Sequence, residues 1–418
     1  MLNEDIYKMA ATKEKKIVIK AINDLGRRVS AADVAARTGL PVASVTWILN
    51  QIAAEAAGHL QVSTAGDIAY QFPIGYQTAY ISRGIKQLIE QFGQKLFQVV
   101  FFLVRISFGV MLILSLLTIA LLLIVIVTVN SRSNDRNGGF RVRLGFFDWI
   151  ILRDLLSWQA YYPPATDHGT GKIKKPAKGN FLYNCFSFLF GDGNPNVNLE
   201  ERRWHAIAEL IRQKQGVVTA EQLAPYTGSE PSNEDAVLPV LVRFDGRPTV
   251  TESGNIVYLF PALQATTMEK QPDKLPPYLE LFSWQFSQVE IESLIWVILL
   301  AVINFFGAWY LYIEAARYSY LSHLLPLLAG LVLYGSLFVI IPAIRYGVIV
   351  ILNKRIDEGN RLKEHYFAQV KEPDQKLITK LAEAQKMLLG SRQIKAEDII
   401  YDTQKDALEQ EFRTLNNA

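Results

Sequence analysis

Val29-Ser-Ala-Ala-Asp-Val-Ala-Ala-Arg-Thr-Gly39 recurs as Val218-Thr-Ala-Glu-Gln-Leu-Ala-Pro-Tyr-Thr-Gly228, with five of the eleven positions identical. Downstream, Val62-Ser-Thr-Ala-Gly-Asp-Ile-Ala-Tyr-Gln-Phe-Pro73 recurs as Val250-Thr-Glu-Ser-Gly-Asn-Ile-Val-Tyr-Leu-Phe-Pro261, with six of twelve identical. The offset between copies is 189 residues in the first block and 188 in the second, so both blocks belong to one duplicated unit.

Each copy has a legible local design. Ser30 and Thr219 are placed to cap a short helix, and Gly39 and Gly228 suit the left-handed residue that ends it. A third helix follows in the first copy, Pro41 to about Glu55, with Val45, Ile48, Leu49 and Ile52 on one face. Gly-Asp or Gly-Asn then marks a hairpin turn. After it, Ile68, Tyr70 and Phe72, and likewise Ile256, Tyr258 and Phe260, alternate toward one side. Three helices and a hairpin resemble the winged-helix superfamily over roughly Lys15–Pro73 and Arg202–Pro261.

Winged helices often bind DNA, which needs Lys or Arg for phosphates and Arg, Asn, Gln or Lys for base edges. Pro41–Glu55 contains no Lys or Arg. The equivalent Glu230–Asp245 carries Glu234, Asp235, Pro239 and one cation, Arg243. The turns Ser63–Asp67 and Thr251–Asn255 have none. Nucleic acid is therefore not the expected ligand. A protein partner is, and the candidate interaction surface is Trp47, Asn50, Gln51, Glu234 and Asp235.

The 418 residues are 50% hydrophobic and only 20% charged, with net charge +3 and mean hydropathy +0.13, a balance that suits a soluble protein with membrane segments. Ile106–Val129 is an uncharged run of 24 residues, about 36 Å as a helix, against a hydrocarbon core of about 30 Å. Ser293–Ile313 and Leu324–Ile344 are two more candidate spans, close enough to form a hairpin. The polar N-terminus reads as lacking a signal peptide. Three crossings would put the duplicated domains on opposite membrane faces, although Lys354–Lys363 and Arg132–Lys178 both favour the cytoplasmic or stromal side. A dip and return within Leu96–Val129 is the alternative; the unbroken Leu/Ile/Val run favours a single crossing.

Between the first span and the second copy, Gly145–Trp158 and Asn180–Phe190 are apolar stretches too short to span. They should lie in the interface or pack on the helices. Asp192, Asn194 and Asn196 invite a calcium reading, but Val197 and Arg203 stand where that loop needs Gly and Glu. A turn into a helix capped by Asn198 explains them better. His168-Gly-Thr-Gly-Lys172 lacks phosphate-loop spacing, and no histidine pair, nucleophile motif or dinucleotide fingerprint appears. No catalytic, cofactor-binding or metal-binding residue is expected. In the tail, Asp374–Leu389 reads as a helix with Leu377, Leu381, Ala384 and Leu388 on one face, ending at Gly390, and Ile394–Thr403 as a strand.

Phe188-Leu-Phe-Gly-Asp-Gly-Asn-Pro-Asn196, the paired Gly-[Asp/Asn]-Ile-x-Tyr-x-Phe-Pro blocks and the terminal hairpin are similar to a family of uncharacterised membrane proteins of cyanobacteria and plastids. Its plant members are sometimes labelled iron–sulfur cluster biosynthesis proteins. The resemblance implies a thylakoid, plasma-membrane or plastid-envelope location. It brings no catalytic residues, and the single Cys185 cannot ligate a cluster alone.

The expectation is a mainly α membrane protein with two winged-helix-like (α+β) domains, one single transmembrane helix, one transmembrane hairpin and a charged helical tail. The segments are 1–80 and 198–265 (the two domains), 81–130 (amphipathic helix and first span), 131–197 and 266–290 (linkers), 291–353 (hairpin) and 354–418 (tail). The expected role is a non-enzymatic interaction or assembly factor. Its partners would be membrane lipids and a protein, with no small-molecule substrate. A membrane-tethered DNA-binding regulator and a small-solute or ion transport component are the alternatives.

Overall fold

The computed structural model describes residues 14–74, 85–132, 181–267 and 274–404. The expectations for Gly145–Trp158 and His168–Lys172, and the Arg132–Lys178 segment beyond Arg132, lie outside them. The chain forms two compact units, one of Met1–Gln87, Asn196–Phe282 and Ile356–Ala418, the other of Leu88–Pro195 and Ser283–Arg355.

In the first unit, helix α1 (residues 14–24) leads to strand β1 (Arg28–Ser30), helices α2 (Ala31–Thr38) and α3 (Val42–Glu55), and a hairpin of β2 (His59–Ser63) and β3 (Ile68–Gln71). The local signals act as read. Ser30 and Asp33 form a capping box at the start of α2, and Gly39 ends it at φ 70°. Val45, Ile48, Leu49 and Ile52 are the buried face of α3. Gly66, at φ 82°, closes the hairpin, with Ser63 N–H donating to Asp67 O.

After α4 (Ile85–Arg132) and α5 (Phe181–Phe190), both of which belong largely to the second unit, the same order of elements recurs. It comprises α6 (Leu199–Gln213), β4 (Val217–Val218), α7 (Ala220–Thr227), a 3-10 turn (Glu234–Ala236), α8 (Leu238–Phe244), β5 (Arg247–Val250) and β6 (Ile256–Leu259). Gln222 Oε1 accepts from the Thr219 amide at 3.1 Å at the start of α7, half of a capping box, and Gly228 ends the helix at φ 74°. Asn198 precedes α6 but makes no side-chain cap, contrary to expectation. Its neighbour Asn196 instead binds both backbone groups of Phe282, Nδ2 donating to the carbonyl at 2.8 Å and Oδ1 accepting from the amide at 2.9 Å.

The two copies share one core. Val34, Ala35, Ile48 and Tyr70 from the first and Ile207, Ile211, Phe244 and Phe260 from the second lie in a single buried cluster, where α2 packs on α6. The sequence expectation of opposite membrane faces treats the copies as separable. A common core excludes that, because each copy buries the apolar surface that the other would otherwise expose to water. At the contact, Gly39 leaves no room for a side chain: a Cβ there would sit 2.7 Å from Trp204 Cβ.

The tail is built into this unit. Strand β7 (Ala265–Thr266) pairs in parallel with β8 (Arg392–Gln393), and β9 (Ile399–Asp402) adds antiparallel to β2, giving the order β1-β3-β2-β9. Helix α11 (Gln375–Lys386) starts at Asp374, whose carboxylate accepts from Leu377 N–H. It ends before the expected Gly390, and Leu388 is exposed rather than on the buried face. Ala384 and Met387 cover Val257 and Val217. For that reason alternation fails in the second hairpin, where Val257 is buried as fully as Tyr258; in the first, Ala69 is buried as fully as Tyr70 and Ile68 is exposed.

At the second hairpin, Ser253, Thr251 and Asn255 donate to Glu383 of α11, and these hydrogen bonds hold its carboxyl at about 2. The bound pKa lies below the unfolded value, so the contribution to docking is complete above about pH 4.5 and disappears as pH falls toward about 2. Glu383→Gln should therefore lower the melting temperature at neutral pH, and the gap from wild type should shrink on titration to about pH 3. A pH-independent gap in detergent melting curves would contradict this.

The second unit is helical: α4, α5, α9 (Ile291–Arg317) and α10 (Leu325–Lys371) up to Arg355. Among the described residues three helices are long and apolar enough to cross a membrane, through Ile106–Ile126, Ile291–Arg317 and Leu321–Lys371. α4 approaches both α5 and α9 closely at glycines. A Cβ on Gly109 would meet Leu182 Cα at 2.7 Å, and one on Gly307 would meet Ile119 at 2.9 Å. Buried Asn304 of α9 donates to Ser115 of α4. α5 packs with these long helices: Cys185, Phe188 and Leu189 join Leu112, Val297 and Phe338 in one cluster.

Gly191 (φ 79°) closes α5, its amide donating to Ser187 O. Arg345 of α10 donates to the carbonyls of Ser187, Phe188 and Phe286, supplying cationic donors where a helix end leaves carbonyls unmatched. Asp192 accepts from Tyr183 Oη and Ser187 Oγ, each at 2.8 Å, and from the Gln288 amide at 2.7 Å. These bonds account for the glycine-rich stretch that resembled a calcium loop. Among the described residues no group of His, Cys, Asp or Glu is placed to hold a metal ion.

Candidate interaction surface

Burying Val45, Ile48, Leu49 and Ile52 turns the opposite side of α3 outward, and Ala43, Trp47, Asn50 and Ala54 lie there one helical turn apart. Trp47 is 60% exposed, a large apolar side chain with most of its surface in water. Asn50 is exposed, but its Oδ1 accepts a 2.8 Å hydrogen bond from Tyr70 Oη, tying α3 to its hairpin. Gln51 is half-buried at the margin of the face. Glu234 and Asp235 are exposed in the 3-10 turn that enters α8, where negative charge also complements the start of a helix.

α8 and α3, the third helices of the two copies, pack against each other. The structure thus brings the elements carrying Trp47 and Glu234–Asp235 to neighbouring positions although 187 residues separate Trp47 from Glu234. On α8, Val240 and Phe244 are buried, while Leu238 (55% exposed) and Val242 (76% exposed) point outward one turn apart. Sequence reasoning missed these two. Leu238-Pro-Val-Leu-Val-Arg-Phe244 is apolar almost throughout, so it has no periodicity to reveal its outer face.

Arg243, the one cation of α8, is occupied. Its Nε donates to Gly39 O, and its guanidinium lies 4.5 Å from the Trp204 ring centroid. Burial lowers its pKa, partly offset by Glu14 and Glu200. The surface is thus apolar with an acidic edge, and α3 contributes no cation.

A chloroplastic protein of Arabidopsis thaliana, described as uncharacterized protein At5g03900, is 33% identical to the chain over 435 aligned positions, covering 96% of this chain and 81% of the relative. The chain belongs to the At5g03900 family. No protein-family model matches it, and no solved structure does. Membership in the At5g03900 family carries no residue role to the surface, whose chemistry rests on the geometry above.

Proposed function

We propose that the protein is a non-enzymatic interaction or assembly factor, held in a plastid or cyanobacterial membrane by its long apolar helices. Two winged-helix-like domains of one duplicated design present the surface that engages a protein partner. The location is supported by the chloroplastic relative and the three apolar helices. A photosynthetic membrane, thylakoid, plasma membrane or plastid envelope, is the setting we favour.

One observation carries the functional reading. The third helices, with which winged helices read DNA, are packed on one another, and the cation of α8 is bound to Gly39 and Trp204. A DNA duplex would meet no free Lys or Arg on α3 or α8, and phosphate neutralisation would have no source there. Full-length protein in detergent should show no sequence-specific shift of genomic DNA fragments at physiological salt. Affinity capture from solubilised membranes should recover a protein partner at near-stoichiometric amounts. Sequence-specific DNA binding would overturn the proposal in favour of a membrane-tethered regulator.

A further inference from the structure

We infer that the face formed by Trp47 on α3 and by Leu238 and Val242 on α8 is a docking site for a basic amphipathic helix of the partner protein. The inference rests on the interaction reading above and adds the chemistry of what is bound.

Three observations select this occupant. Trp47, Leu238 and Val242 are each more than half exposed, on helices that touch, which is an unusual amount of large apolar side chain to leave in water. Leu238 and Val242 repeat at the one-turn spacing that matches anchors of an opposing helix, and a tryptophan is the residue type that most often anchors such contacts. The segment that enters α8 carries charge of one sign. Glu230, Glu234 and Asp235 are exposed and, among the described residues, make no ion pair with a Lys or Arg, whereas Arg243 is engaged inward. Arg247, the next cation, begins β5 beyond the C-terminal end of α8, away from the acidic turn in sequence. An acidic helix would meet like charge at Glu230, Glu234 and Asp235, and a basic one would be steered in.

The probe is a synthetic Leu/Lys amphipathic helix of about five turns, compared with a Leu/Glu helix of the same pattern. Each is titrated onto the full-length protein in non-ionic detergent with fluorescence detection. The Leu/Lys helix should bind at least about tenfold more tightly than the Leu/Glu helix, a preference that weakens with salt. Trp47→Ala and Val242→Ser should each weaken it by about tenfold, and Glu234→Lys with Asp235→Lys should remove the preference between the two helices. All four positions are exposed, so melting temperatures should stay at the wild-type value.

Equal binding of both helices, or binding indifferent to Trp47→Ala, overturns the inference. So does a self-association lost with Trp47→Ala, which makes a second copy the occupant. If Trp47→Ala still captures the full-strength partner from membranes, this face is refuted while the interaction reading stands. If no variant, wild type included, captures a partner, the interaction reading itself fails.

Discussion

Asp33→Ala should lower the melting temperature of the protein in detergent by roughly 10 °C, corresponding to about 3–5 kcal/mol, and loosen the contact between the two copies. Asp33 is 2% exposed. Oδ2 accepts from the Ser30 amide, the Thr267 amide at 2.9 Å and Thr267 Oγ1 at 3.0 Å, and lies 2.9 Å from Ser30 Oγ. Oδ1 accepts from Thr266 Oγ1 at 2.6 Å and lies 3.3 Å from Arg212. The carboxylate therefore caps its own helix, ties the first copy to α6 of the second, and anchors the strand that follows the second copy. Ser30 Oγ and Thr267 Oγ1 keep carbonyl acceptors in Ala265 and Arg28, but truncation removes the carboxylate acceptor of the Ser30 and Thr267 amides, and that desolvation penalty is far larger than the worth of one exposed ion pair. Asp24, paired with Arg37 at 3.8 Å and largely exposed, is the control; Asp24→Ala should change stability by no more than about 0.5 kcal/mol. Equal melting of the Asp33 and Asp24 variants would contradict the argument.

Protease added to sealed, right-side-out vesicles should cut or spare the N-terminal domain and the tail together. The physical ground is the first unit's construction, independent of any hydropathy count. Tyr70 and Phe72 share a core with Phe244 and Phe260, and the tail adds β9 to the sheet of the first copy. Gln61 Nε2 donates to Asp402 Oδ2 at 3.1 Å, and Thr403 exchanges hydrogen bonds with both backbone groups of Leu60. Elements bonded this way cannot be divided by a bilayer, because each half would leave strand edges and apolar faces unmatched. On the membrane reading proposed above, the two repeated segments and the tail should therefore lie on one membrane face. Cleavage of the N-terminal domain with full protection of the tail would refute both that topology and the shared core.

What the sequence determined by itself was the local chemistry. Ser30 with Asp33, Thr219 with Gln222, and Gly39 with Gly228 act within one helical turn of their partners, so a short window contains the whole interaction. The buried face of α3 and the three long apolar helices follow from spacing and composition alone. Of the candidate surface, Trp47, Asn50, Gln51, Glu234 and Asp235 could be proposed because α3 has no cation and its counterpart only Arg243, a property of short stretches.

Only tertiary structure decided the rest. Whether a hairpin buries one face or two depends on a helix that lies some 130 residues away, as Glu383 binding Ser253 shows. That Asn196 holds the backbone of Phe282 depends on a strap beyond the second copy. Leu238 and Val242 became visible as an outer face only once Val240 and Phe244 had been committed inward. The single core shared by the two repeated segments follows from burial of apolar area between them. That term sums over many distant contacts, and each is too weak and too far apart in the chain to leave a local mark.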